Sequence, residues 1–133
     1  MIGPTCGEMI YLDTHVVVWL YAGQVDLLSG LAKDSIDSEN LLISPMVGLE
    51  LQFLSEIGRI KVNSEEIVND LSMRIGLRYC ELPFTSVVTK SLNQHWTRDP
   101  FDRIIVAQAS LQKESVLLTK DSLIQKNYLK ARW

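Results

Sequence analysis

Four short, apolar-rich runs, each followed by residues at helical spacing, constrain this chain more than any other feature. They are "EMIYLD" (a strand over 8–12), "NLLIS", "YCELP" (a strand ending at Pro83) and "SVLLT". The continuous apolar run of "EMIYLD" suits a strand buried on both faces, as in a parallel sheet. Between them the spacing predicts a helix over 14–22 closed by Gly23, and a second over 26–38 with Leu27, Leu28, Leu31 and Ile36 as its apolar side. Further helices are expected over 44–57, over 64–75 behind the capping sequence "NSEEI", over 85–95 and over 100–113. "RIKVN" reads as an extended link, "KDSLIQKN" as a turn and short helix, and "YLKARW" as a final edge strand. Strands alternating with helices predict an α/β domain with a central parallel sheet and right-handed crossovers. In such open sheets, sites form beyond the carboxyl ends of the strands.

One residue breaks the pattern. In "SPMVGLELQFLSEIG", Ser44 suits an N-cap and Pro45 the first helical position. The periodicity puts Met46, Phe53, Leu54 and Ile57 on one apolar face, with Gly48, Gln52, Ser55 and Glu56 opposite. Glu50 falls in the middle of the apolar face. An unpaired buried carboxylate costs several kcal/mol or takes up a proton.

Three further acids occupy comparable places. Asp13 ends the first apolar run, Asp121 follows the fourth in "LLTKD", and Asp102 lies in the first turn of the helix after "WTRDP". If the strands are neighbours, Asp13, Glu50, Asp102 and Asp121 converge. Each also has a structural reading: Asp13 as a helix cap, Asp102 as a partner of the helix dipole, Asp121 as a turn residue, Glu50 in an ion pair with Arg103. Asp99 before Pro100 reads as an N-cap. Two like charges about 4 Å apart repel by roughly 4 kcal/mol at an effective dielectric near 20. A cluster of four therefore calls for a cation, and all-oxygen ligation favours magnesium or manganese. Such ions suit phosphoryl chemistry.

The remaining sequence narrows the class. With 133 residues, 47% of them hydrophobic, and no linker or repeat, one domain is expected. The longest apolar run, Val16 to Tyr21, is far short of the roughly 20 residues a membrane span needs. Residues 1–8 lack the basic start and apolar core of a signal peptide and read as an N-terminal extension. Cys6 and Cys80 form neither a disulfide framework nor a metal spacing, so a reduced, cytoplasmic protein is expected. Residues 1–83 carry 5 Lys/Arg against 12 Asp/Glu, and residues 84–133 carry 8 against 4. A basic C-terminal part beside acidic residues is compatible with a polyanion held near a metal, and equally with ordinary solvated faces. Phosphate-loop, dinucleotide, zinc-protease and nucleophile-elbow motifs are all missing. His15 follows Asp13 closely and suits either a pocket wall or a helix surface; nothing pairs Cys80 with His15 or His95. Trp19, Trp96 and Trp133 suit core packing better than base stacking.

The stretches "MIYLDTHVVVWL", "ISPMVGLELQFLSEIGRIKV", "WTRDPFDRIIVAQA" and "LLTKD", with a terminal tryptophan, run from Met9 to Trp133 in an order and spacing that resemble a known family. The chain resembles the PIN-domain ribonucleases, specifically the VapC-type toxins of type II toxin–antitoxin systems. The resemblance implies a three-layer α/β/α domain over 9–133 with a central, mostly parallel sheet of four to five strands. It implies that Asp13, Glu50, Asp102 and Asp121 are the catalytic metal ligands for Mg2+ or Mn2+, with Asp99 and Thr119 close by. It further implies cleavage of RNA, commonly tRNA or rRNA, leaving 5′-phosphate and 3′-hydroxyl ends, together with a homodimer and a cognate antitoxin. Residues 1–8 depart from the family by preceding its usual start.

Two rival classes fit less well. A receiver needs an aspartate after its third strand, which "YCELP" lacks, and a haloacid-dehalogenase-like phosphatase needs D-x-D where this chain has "DTH". A non-catalytic interaction module should lack one of the four acids, and all four are present.

Overall fold

The computed structural model describes residues 9–38, 40–112 and 115–133. Its sheet has five strands: β1 (Ile10–Leu12), β2 (Leu41–Ile43), β3 (Arg78–Tyr79), β4 (Val116–Leu118) and β5 (Ala131–Arg132). They lie in the order β3-β2-β1-β4-β5, and every neighbouring pair is parallel. All nine residues of β1, β2 and β4 are buried, so helices cover both faces of the sheet centre. Ile10, Tyr11 and Leu12 stand in register with Val116, Leu117 and Leu118. The expected α/β sheet is therefore present, and "YLKARW" does supply its edge.

Seven helices connect the strands among the described residues: α1 (Thr14–Ala22), α2 (Gly30–Ile36), α3 (Pro45–Glu56), α4 (Ser64–Ile75), α5 (Phe84–Ser91), α6 (Pro100–Leu111) and α7 (Ser122–Asn127). Local chemistry sets their ends. Asn63 caps α4 by accepting from the Glu66 N–H at 2.9 Å, as "NSEEI" predicts. Gly23 closes α1 at φ 72°, a left-handed conformation that glycine adopts without a Cβ penalty. No helix among the described residues is long and apolar enough to cross a membrane.

Several expected spans need correction. The helix expected over 26–38 is a 3-10 turn (Val25–Leu27) and then α2, because Leu28 turns extended to enter the core and Ser29 caps the new helix. The strand expected through Pro83 pairs only at Arg78–Tyr79, with one more bond from the Cys80 N–H to the Ile43 carbonyl. Its neighbour β2 ends there, since Ser44 caps α3, and residues 81–83 have nothing to pair with. The helix expected over 85–95 stops at Ser91, where the Asn93 and Gln94 N–H groups tighten to carbonyls three residues back. α6 ends at Leu111, and the expected end at Lys113 lies outside the described residues, as does the extension expected over residues 1–8.

The faces of α3 also differ from the periodicity reading. Val47, Gly48 and Leu51 point into the core, while Phe53 and Ile57 are 46% and 51% exposed. The helix turns its small residue inward: Ser64 at the start of α4 donates to the Gly48 carbonyl at 2.6 Å, and a Cβ on Gly48 would sit 2.3 Å from the Tyr79 hydroxyl. Glu50 therefore stands at the flank of α3, half-buried, rather than in the middle of its core face.

Candidate active site

Each parallel strand of the sheet centre hands its chain to a helix at the same edge. β1 ends at Leu12, and Asp13 caps α1 by accepting from the Thr14 N–H at 2.8 Å. The Asp13 N–H donates to the Leu118 carbonyl at 3.0 Å, which extends the β1–β4 pairing by one bond and sets Asp13 beside Thr119. The Thr119 hydroxyl then donates to Asp13 Oδ2 at 2.6 Å and accepts from the Asp121 N–H at 3.0 Å. Asp121 in turn caps α7, accepting from the Leu123 and Ile124 N–H groups at 2.8 and 3.0 Å. The cap reading of Asp13 is correct as geometry, and Asp121, expected as a turn residue, proves to be the cap of α7. Neither excludes a chemical role, because each carboxylate keeps lone pairs beyond those bonds.

Glu50 reaches the same edge from α3. Its Oε1 accepts a hydrogen bond from the Thr14 hydroxyl. The alternative ion pair with Arg103 is not formed: Arg103 donates its Nε–H to the Gln94 carbonyl at 2.8 Å. Asp99 caps α6, accepting from the Phe101 and Asp102 N–H groups at 2.8 and 3.3 Å. Asp102 stands one turn in, and its carboxylate accepts no hydrogen bond among the described residues.

The electrostatics tie these groups together. Burial pushes the Asp102 carboxyl up to about 7, and the charges of Asp99, Asp13, Asp121 and Glu50, in that order, push the same way. Asp13 is raised chiefly by burial, against which the Thr119 hydroxyl, the Thr14 N–H and the His15 charge work, while Asp121 adds to the rise. Glu50 is raised by burial first; the Thr14 hydroxyl and His15 oppose this, and Asp13 and Asp99 add to it. The charges of Asp99 and Asp121 thus act at the same edge as Asp13, Glu50 and Asp102, and for Asp13 and Glu50 burial and repulsion outweigh the hydrogen bonds. The N-termini of α1 and α6 open at this edge, and their dipoles offset part of that repulsion.

The side chains as they stand do not close on one point: among the described residues, no three His, Cys, Asp or Glu groups are placed to hold a metal ion. The donor set still fits a hard divalent cation, because it is all carboxylate, partly desolvated and mutually repelling.

Other singled-out residues fall outside the cluster or on its margin. His15 is exposed on α1, where its charge reaches Asp13 and Glu50 and its ring lies 6.3 Å from Trp19. His95 is exposed, and buried Cys80 accepts from the Tyr11 hydroxyl at 2.9 Å. Trp19, Trp96 and Trp133 pack against the core, as expected. Sequence reasoning passed over Thr14, which is fully buried between two of the acids. The available signal was a hydroxyl residue directly after the strand-terminal Asp13.

A family model for the PIN domain matches residues 10–128. No curated protein sequence matches the chain significantly. Among solved structures, VapBC2 from Rickettsia felis bound to a DNA fragment from its promoter is similar at 18% identity and TM-score 0.61, covering 89% of this chain and 92% of that one. DNA-bound VapBC from Salmonella typhimurium is similar at 12% identity and TM-score 0.60, over 95% and 96% of the two chains. VapBC-1 from nontypeable Haemophilus influenzae is similar at 19% identity and TM-score 0.52, over 94% and 96%. At these identities the likeness is one of fold.

Proposed function

This chain belongs to the PIN-domain family, and from that premise we propose that it is a VapC-type toxin: a metal-dependent endoribonuclease neutralised by a cognate antitoxin. The observation that carries the reading is the shared field of Asp13, Glu50, Asp102 and Asp121 beyond the carboxyl ends of the central strands. Capping and hydrogen bonding alone give no reason to gather Asp13, Glu50 and Asp102 at one edge, where burial and neighbouring carboxylates raise their proton affinity.

Asp13, Glu50, Asp102 and Asp121 would hold the ion. A bound Mg2+ or Mn2+ supplies Lewis acidity to the phosphodiester and lowers the pKa of attacking water. Asp13 is oriented by the Thr14 N–H and the Thr119 hydroxyl, and Asp121 by the α7 backbone. Asp102, with no hydrogen-bond donor of its own, is the acid with most to gain from a cation. Asp99 orders the first turn of α6 and so fixes where Asp102 starts. The basic excess of residues 84–133 suits an RNA backbone approaching this edge.

The partners follow from the same reading. The domain is taken as residues 9–133 of a cytoplasmic protein, and the VapBC complexes among similar structures support an antitoxin. Exposed Leu49, Phe53 and Ile57 along α3 support a homodimer. Hydrolysis should leave 5′-phosphate and 3′-hydroxyl ends on tRNA or rRNA. The test is sequencing of RNA 5′-phosphate ends in cells after brief induction of this chain or of Asp102→Asn. New ends at defined positions, absent with the variant, are expected; identical end profiles for both would refute the assignment.

A further inference from the structure

Thr14 has no exposed surface and donates to two carboxylates carried by different elements. Its N–H reaches Asp13 Oδ1 at 2.8 Å, a bond that any residue other than proline would supply. Its hydroxyl reaches Glu50 Oε1 on α3, and only a hydroxyl side chain makes that bond here. Glu50 is long, half-buried, and crowded by the charges of Asp13 and Asp99. The Thr14 hydroxyl is the sole hydrogen-bond donor to its carboxylate among the described residues. Packing shape alone does not account for the choice of residue, because valine has the same β-branched shape without the hydroxyl.

We propose that Thr14 is a positioning residue: its hydroxyl sets the Glu50 carboxylate beside Asp13, so that the pocket presents two pre-oriented ligands to a divalent cation. This rests on the metal-dependent reading of the pocket and adds to it the residue that couples α1 to α3 there. A hydrogen bond behind a metal ligand fixes its orientation, and losing it typically weakens metal affinity by about 10–100-fold.

The test is equilibrium binding of Mn2+, followed by calorimetry or by the resonance of free Mn2+, to wild type, Thr14→Val, Thr14→Ser, Glu50→Gln and Thr14→Val/Glu50→Gln, each checked by its melting curve. Thr14→Val should raise the Mn2+ Kd by about 10–100-fold, Thr14→Ser should stay close to wild type, and Thr14→Val should add nothing in the Glu50→Gln background. Should Thr14→Val not fold, Thr14→Ala takes its place in the same cycle. Unchanged or tighter Mn2+ binding by Thr14→Val overturns the proposal, as does an equal loss in both Glu50 backgrounds, which would mark a structural role. No Mn2+ binding by wild type overturns the reading of the pocket, and this inference with it.

Discussion

Replacing Asp102 by asparagine should make the metal-free protein more stable above neutral pH. Burial, reinforced by Asp99, Asp13, Asp121 and Glu50, raises the Asp102 carboxyl from 3.8 to about 7 in the folded protein, and unfolding returns it to its ordinary value. Between those two values the folded state holds a proton that the unfolded chain has lost, so stability falls as pH rises. Below 3.8 there is no penalty; above about 7 it is complete. A rise of about three units corresponds to about 4 kcal/mol at 1.36 kcal/mol per unit. Solvent screening of a half-buried group reduces this to about 2 kcal/mol. For a chain of this length, that is roughly 5–10 °C in Tm. Asparagine at this position keeps the shape and removes the charge. Thermal melts in chelator from pH 5 to 8.5 should show Asp102→Asn drawing ahead of wild type as pH rises, with the gap complete near pH 8. Millimolar Mn2+ should close the gap by stabilising only wild type. Equal melting temperatures at pH 8, or a gap that does not change with pH, would refute the electrostatic account.

Thr119→Val removes the donor to Asp13, in a buried bond, and the acceptor for the Asp121 N–H, in a partly buried one; chemical denaturation should show a loss of about 1–3 kcal/mol. Asp99→Asn can still cap α6 and should keep its stability, whereas Asp99→Ala should lose about 0.5–2 kcal/mol in the same assay. Gly48→Ala brings a Cβ to 2.3 Å from the Tyr79 hydroxyl. It should cost about 1–3 kcal/mol, and a double-mutant cycle with Tyr79→Ala should recover most of that loss.

The parallel sheet was legible because β1, β2 and β4 are buried on both faces, which leaves unbroken apolar runs in the sequence. The caps at Ser44, Asn63 and Asp99 were legible for a local reason: each side chain bonds N–H groups two or three residues ahead. What depends on distant partners was not. The break at Leu28 follows from its burial in the core, and the early end of β3 follows from where β2 stops. The orientation of α3 turns on Gly48, whose missing side chain admits Tyr79 and Ser64 from elements that periodicity does not register. Asp13, Asp102 and Asp121 were singled out by their places after strands and in a helix first turn, and Glu50 by interrupting an apolar periodicity that the structure turns to a different face of α3. Thr14 was passed over because its role lies in a hydroxyl bond to a residue 36 positions away.

The most direct test of the central claim is single-turnover cleavage of one RNA by chelator-washed protein, with Mg2+ or Mn2+ added back, for wild type and Asp102→Asn. The account predicts no cleavage without metal. Restored cleavage with 5′-phosphate ends is expected for wild type, and a rate lower by orders of magnitude for Asp102→Asn at unchanged or higher Tm. Cleavage that persists in chelator, or an Asp102→Asn variant as fast as wild type, would contradict it.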